Sequence, residues 1–262
     1  MRVHVVADVH GNSQALARAG EGADALIVLG DLINFVDYHD HSKGILGQVF
    51  GPDVVATFAR LRTHGRPGEL TDYARELWTE LDDPRAVLEG AVQEQYRELF
   101  GALTTPSYLT PGNVDLPHLW PEFLRDGVRM LDGEVADIGG LRVGFVGGLP
   151  LPPHIESISG GPWRPYVRPA AEYDAACAAL TTVDVLCSHV PPLVAELAYD
   201  VVSRRAEVGS AALVRIIERD RPRAALFGHV HQPMAARARV GGTECVNVGH
   251  FRKTERPFVL SW

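Results

Sequence analysis

Five short polar clusters in this sequence combine metal-ligating side chains with tight-turning neighbours. They are Asp8-Val-His10, Gly30-Asp31, Gly112-Asn-Val-Asp115, Ser188-His189 and Gly228-His-Val-His231. Together they offer Asp8, His10, Asp31, Asn113, His189, His229 and His231 as donors. Mixed oxygen and imidazole donors suit borderline divalent ions such as Mn, Fe or Zn, and disfavour Ca or Mg, which prefer oxygen alone. Each cluster by itself has an ordinary reading. Gly-Asp closes many turns, Gly-Asn-x-Asp can be an Asx-turn, and Ser188-His189 before Pro191-Pro192 can be a simple loop. Their conjunction, in this order, is what points to a metal site.

The elements that must position these groups can be read from hydrophobic pattern. Arg2 to Ala7 and Ala25 to Leu29 are short apolar, β-branched runs, read as buried strands with a helix at about Ser13 to Ala19 between them. Strand, helix and strand in this order suggest a parallel crossover with the polar loops at the carboxyl ends of the strands. The same rhythm returns at Ser107 to Thr110, Asp184 to Cys187 and Ala224 to Phe227, each running into one of the clusters. In open α/β sheets, side chains gathered at strand carboxyl ends are how ligand sites are built. Gly139-Gly140 and Gly241-Gly242 mark two hairpins, and Ala170 to Leu180 and Ser210 to Arg219 read as helices.

Residues 35–105 read differently, as a helical insertion or cap within a single 1–262 domain. Helices are expected around Asp53 to Arg62, Glu69 to Leu81 and Pro84 to Phe100, with Pro52 and Pro84 at first-turn positions. Gly147 to Pro169 holds six prolines and four glycines, which predicts a long loop rather than regular structure.

The ordered set of clusters resembles the calcineurin-like metallophosphoesterase superfamily, whose pattern is D-x-H, G-D, G-N-x-[DE], a later G-H or S-H, then G-H-x-H. All five blocks are present and span Asp8 to His231. The resemblance implies an α/β fold, a four-layer α/β/β/α sandwich. It implies one metal on Asp8, His10 and His231, another on Asn113, His189 and His229, and Asp31 bridging both. Asp31, Asn113 and His189 count as catalytic on this reading. The activity implied is hydrolysis of small phosphate esters by metal-activated hydroxide, with two ions about 3.5–4 Å apart clamping the phosphoryl group.

One departure from the pattern bears on substrate. Many members read G-N-H-[DE], where the histidine protonates the leaving group; here the position is Val114, which has no proton to give. The resemblance is therefore to the branch without that histidine, which points to phosphodiesters, with phosphomonoesterase as the alternative. Asp115 loses the partner such a histidine would provide. His39, His41, His118 and His250 are candidates to replace it, though the sequence places none of them near the metals and an exposed or structural reading stands for each. A rim segment at Asn34 to Lys43, carrying His39 and His41, is a candidate for substrate selection, and Arg252 with Lys253 for phosphate contact.

Composition narrows the other classes. A 262-residue chain with 46% hydrophobic and 22% charged residues suits a soluble globular protein. No apolar run approaches the ~20 residues of a membrane span. Three cysteines without metal-type spacing fit a reducing cytoplasm better than a disulfide framework. A net charge of −8 and the lack of a basic stripe speak against nucleic acid as a partner. A non-catalytic metal-binding scaffold of the same fold is the alternative from another class. Such scaffolds typically lose ligand histidines, and this chain keeps seven candidate ligands.

Overall fold

The computed structural model describes residues 1–66, 68–104, 106–152 and 161–262. The first sheet contains β1 (Arg2–Val6), β2 (Ala25–Val28), β3 (Ser107–Leu109) and β4 (Val128–Met130). These four are parallel in that order. Helix α1 (Ser13–Ala19) links β1 to β2 and starts at Asn12, whose side chain accepts the amide of Ala15. Between β2 and β3 the chain forms α2 (Gly44–Phe50), α3 (Pro52–His64), α4 (Glu69–Thr79) and α5 (Pro84–Ala102). The last three lie where the apolar pattern and first-turn prolines predict helices. Helix α2 begins at a glycine without a side-chain cap, so the sequence carries no start signal for it.

The second sheet is built from β5 (Glu134–Ile138) and β6 (Leu141–Val146), joined at Gly139-Gly140, then β9 (Val185–Ser188), β12 (Ala224–Phe227), β13 (Arg237–Val240) and β14 (Thr243–Asn247). Its order is β13-β14-β12-β9-β6-β5, parallel in the centre and antiparallel at both edges. Around it lie β7 (Leu149–Pro150), β8 (Val167–Arg168), α6 (Ala170–Ala179), α7 (Ala195–Ala198), β10 (Tyr199–Asp200), β11 (Arg205–Ala206) and α8 (Ala211–Asp220). Two elements close the chain, α9 (Phe251–Thr254) and β15 (Phe258–Ser261), the latter antiparallel to β1 on the edge of the first sheet. The proline-rich segment expected to be irregular contains β7 and β8, which pair with each other; residues 153–160 of that segment, like Pro67 and Thr105 of the 35–105 segment, lie outside the described residues.

The alternation of side chains explains the layering. In β1 and β2, Val3, Val5, Ala25 and Ile27 face the second sheet, while Val6, Leu26 and Val28 face α1 and α5. In β9 and β12, Val185, Cys187 and Leu226 face the first sheet, while Leu186, Ala225 and Phe227 face α6 and α8. Every central strand is buried on both faces, as a parallel sheet requires. Three apolar interfaces therefore separate four layers, α/β/β/α. Helix α5 contributes Leu88, Val92, Tyr96, Leu99 and Phe100 to the outer interface of the first sheet. The three cysteines are buried free thiols. Among the described residues no helix is long and apolar enough to cross a membrane.

Candidate metal centre

The carboxyl ends of β1, β2 and β3 in one sheet and of β9, β12 and β14 in the other meet at one edge of the sandwich, and their loops carry every predicted ligand. Backbone bonds lace these loops together. Asp8 N donates to the Gly30 carbonyl at 3.1 Å, His10 N to Asp31 at 2.9 Å, and Gly228 N to His189 at 3.0 Å. Four of the predicted ligands adopt positive φ: Asp8 at 58°, His10 at 41°, Asp31 at 53° and His229 at 67°. Left-handed backbone at non-glycine residues is costly and persists where the surroundings over-determine it, as at functional sites.

Two glycines are required by closeness. A Cβ on Gly112 would strike the Asp31 carboxylate, and one on Gly228 would come within 2.6 Å of Asp8 Oδ2. Only a bare backbone lets the loops approach the carboxylates this tightly.

The histidine tautomers follow from their outer partners. His189 Nδ1 donates to the Leu29 carbonyl at 2.8 Å, and His10 Nδ1 to the Ile33 carbonyl at 3.2 Å. A carbonyl can only accept, so the proton of each neutral ring sits on Nδ1 and the lone pair of Nε2 faces inward. There His189 Nε2 meets Asn113 Oδ1 at 3.0 Å and Asp31 Oδ1 at 3.5 Å. His10 Nε2 lies 3.3 Å from His231 Nε2 and 3.9 Å from Asp31 Oδ2, and His231 Nε2 lies 3.6 Å from Asp8 Oδ1. The buried Nε2 of His229 has no partner among the described residues. Its ring sits 5.2 Å from that of His189. The inward lone pairs of His10 and His189, set against the Asp8 and Asp31 carboxylates, are a cation-binding arrangement. The donor set thus fits two divalent ions, with the two oxygens of Asp31 turned to the two groups of ligands.

Electrostatics agree with this reading. Burial alone would raise the Asp8 carboxyl, but the hydrogen bond and charge of His231, with His189 and His10 nearby, hold it well below the usual range. Burial lowers His10, and burial with His189 alongside takes His229 down to about 4. His231 is raised, because Asp8 outweighs the opposing effect of burial. His231 keeps 37% of its side chain exposed, so the centre opens to solvent on that side.

Asp115 has a bracing role. Its Oδ1 accepts the Leu32 amide at 3.0 Å and its Oδ2 the Gly112 amide at 2.8 Å, tying the Asp31 and Asn113 loops together. Burial, and then the neighbouring Asp31, push its carboxyl up to about 7. The segment after β6 braces the same loop: Tyr166 N donates to the Asn113 carbonyl at 2.8 Å, and Trp163 Nε1 to that of Val114 at 3.4 Å.

The remaining candidates fall outside the ligand cluster, with one exception. His39 is exposed and His41 half-buried on the loop after Asp31, and neither bonds to the ligand set among the described residues. The Arg252 guanidinium is engaged by Asn34 Oδ1 at 3.1 Å and by Asp37 Oδ2. His118 is exposed beside Glu89. His250 is the exception: its ring stacks on His231, centroids 3.9 Å apart at 13°, and meets His10 edge-on at 5.6 Å. Burial, then His231, bring it down to about 3. Its sequence signal is that of His229, a glycine-histidine pair just past a strand, but Gly249-His250 lies beyond the five recognised blocks.

A family model described as calcineurin-like phosphoesterase matches residues 1–233. No curated protein matches the sequence significantly. One solved structure is similar with a TM-score of 0.60 at 17% identity, covering 96% of this chain and 91% of its own. Another, TT1561 of Thermus thermophilus, is similar with a TM-score of 0.54 at 14% identity, covering 99% and 98%. At these identities the two structures bear on the fold alone.

Proposed function

We propose that this chain, which belongs to the calcineurin-like phosphoesterase family and is a metal-dependent phosphoric ester hydrolase, acts by preference on phosphodiesters. The observation that carries the preference is Val114. Its amide donates to Asp31 Oδ1 at 2.9 Å, so the residue sits beside the bridging position, yet its side chain offers no proton for a leaving oxygen. Esters whose leaving groups depart with little acid help are the expected substrates.

Asp8, His10 and His231 hold one ion on this reading, Asn113, His189 and His229 the other, and Asp31 both. When bound, two such ions neutralise the phosphoryl oxygens and activate the attacking water. The chain's own contribution is orientation. Leu29 and Ile33 fix the tautomers of His189 and His10, and Asp115 holds the Asp31 and Asn113 loops at a set distance. His39 and His41 contribute to substrate selection at the rim. Arg252 steadies that rim through Asn34 and Asp37, and Mn²⁺, Fe²⁺ or Zn²⁺ are the ions the donors favour.

The test is hydrolysis of a nitrophenyl phosphodiester and the matching monoester by chelator-stripped protein, before and after Mn²⁺ is added. Metal-restored cleavage favouring the diester is the expected result. Preference for the monoester would mean that another residue supplies the proton and would overturn the role given to Val114.

A further inference from the structure

We infer that His250 is an eighth ligand of the centre, binding the ion held by Asp8, His10 and His231; the inference rests on the two-ion reading above. The ligand atoms of His10, His231 and His250 all lie within 4.8 Å of one another, close enough to share one ion. His250 Nε2 is buried and has no hydrogen-bond partner among the described residues. An unsatisfied buried nitrogen is costly, and a cation in the cluster removes that cost.

The segment carrying His250 is built onto the other ligand loops rather than resting near them. Asn247, at the end of β14, donates from Nδ2 to the Val230 carbonyl at 2.9 Å, on the loop of His229 and His231. Its Oδ1 accepts the Gly249 amide at 2.9 Å, and Gly249 turns at φ +95°. On the far side, Phe251 N donates to the Ala7 carbonyl and Arg252 N to that of Asp8, both at 3.0 Å. His250 is thus pinned between the Asp8 loop and the His231 loop, the two that supply the same ion. Its ring stacks on that of His231, so ligation of one ion by both requires the two rings to splay from this stacked position.

The consequence is an unequal pair of sites. One ion has three imidazoles with Asp8 and Asp31, while the other has two imidazoles, Asn113 and Asp31. The imidazole-rich site should favour Co²⁺ or Zn²⁺ over Mn²⁺ more strongly than its neighbour does.

The experiment is a Co²⁺ titration of chelator-stripped wild type, His250→Ala and His250→Gln, followed by calorimetry and by visible absorption of the bound cobalt. Glutamine keeps the volume and a polar end, which covers the case in which alanine fails to fold. Two ions in the wild type, with one of them weakened about tenfold or more in each folded variant and its absorption altered, is the expected result. Free imidazole added to the alanine variant should restore part of that absorption. A wild type that binds two ions, beside variants that bind both equally well with unchanged spectra, overturns this inference alone, even if turnover falls. A wild type that cannot bind two ions overturns the two-ion reading first.

Discussion

His189 Nε2 and Asn113 Oδ1 face each other at 3.0 Å, and neither atom carries a proton to place between them. The ring proton of His189 is already given to Leu29. The pair is therefore repulsive in the absence of a cation and becomes a chelating pair in its presence. His189→Ala should lose at least one ion and Asp31→Asn should weaken both, since one carboxylate faces both ligand groups. Turnover should fall on the order of a hundredfold or more in each. Metal content by mass spectrometry, read beside activity, checks this; two ions retained at full occupancy in either variant would overturn the ligand assignment.

Asp115 should behave as a structural residue. Replacing it with alanine strips acceptors from two buried amides, Leu32 and Gly112, and should cost about 2–5 kcal/mol of stability. Chemical denaturation of the metal-free protein measures this. Any protein that does fold should bind metal less well, because the Asp31 and Asn113 loops lose their tie.

Gly228→Ala tests closeness rather than chemistry. The added methyl carbon would sit 2.4 Å from Ala7 Cβ and 2.6 Å from Asp8 Oδ2, so the Asp8 loop must move. Affinity for one ion should drop about tenfold or more, while far-ultraviolet circular dichroism stays that of the wild type. An alanine variant with wild-type metal affinity would mean that the Asp8 loop is softer than its backbone bonds imply.

The Asp37 carboxylate gives a pH signature. Burial would raise it, but the amides of Asp40 and His39, the Arg252 guanidinium and the Asn34 amide hold it well below the ordinary range. A carboxyl with a depressed folded pKa stabilises the fold above its unfolded value of 3.8 and loses that contribution as pH falls further. Asp37→Asn should therefore cost about 1–3 kcal/mol near neutrality, with the gap to wild type closing below about pH 4. Denaturant midpoints taken from pH 7 to pH 3 check the trend. A gap that widens on acidification would contradict it.

Much of the frame was legible because the central strands bury both faces and announce themselves as short apolar runs. Ala224 to Phe227 and Leu141 to Val146 coincide with their strands, and the two Gly-Gly pairs with their hairpins. The predicted ligands were legible because each sits one to four residues beyond such a run. What escaped depends on distant partners. Helix α2 has no capping signal, and β4 is three residues long, paired only at a sheet edge. The role of Asp115 needs an amide from Leu32, 83 residues earlier. His250 needs a neighbour, His231, that only the fold brings alongside.

β15 lies on β1, so residues 258–261 pair with residues 2–5 across nearly the whole chain. During synthesis, the strand that presents Asp8 and His10 is made long before its outer neighbour. Such a non-local pairing slows folding. The strand that leads to Asp8 and His10 therefore stays on an unfinished sheet edge until residues 258–261 have been made and have paired with it.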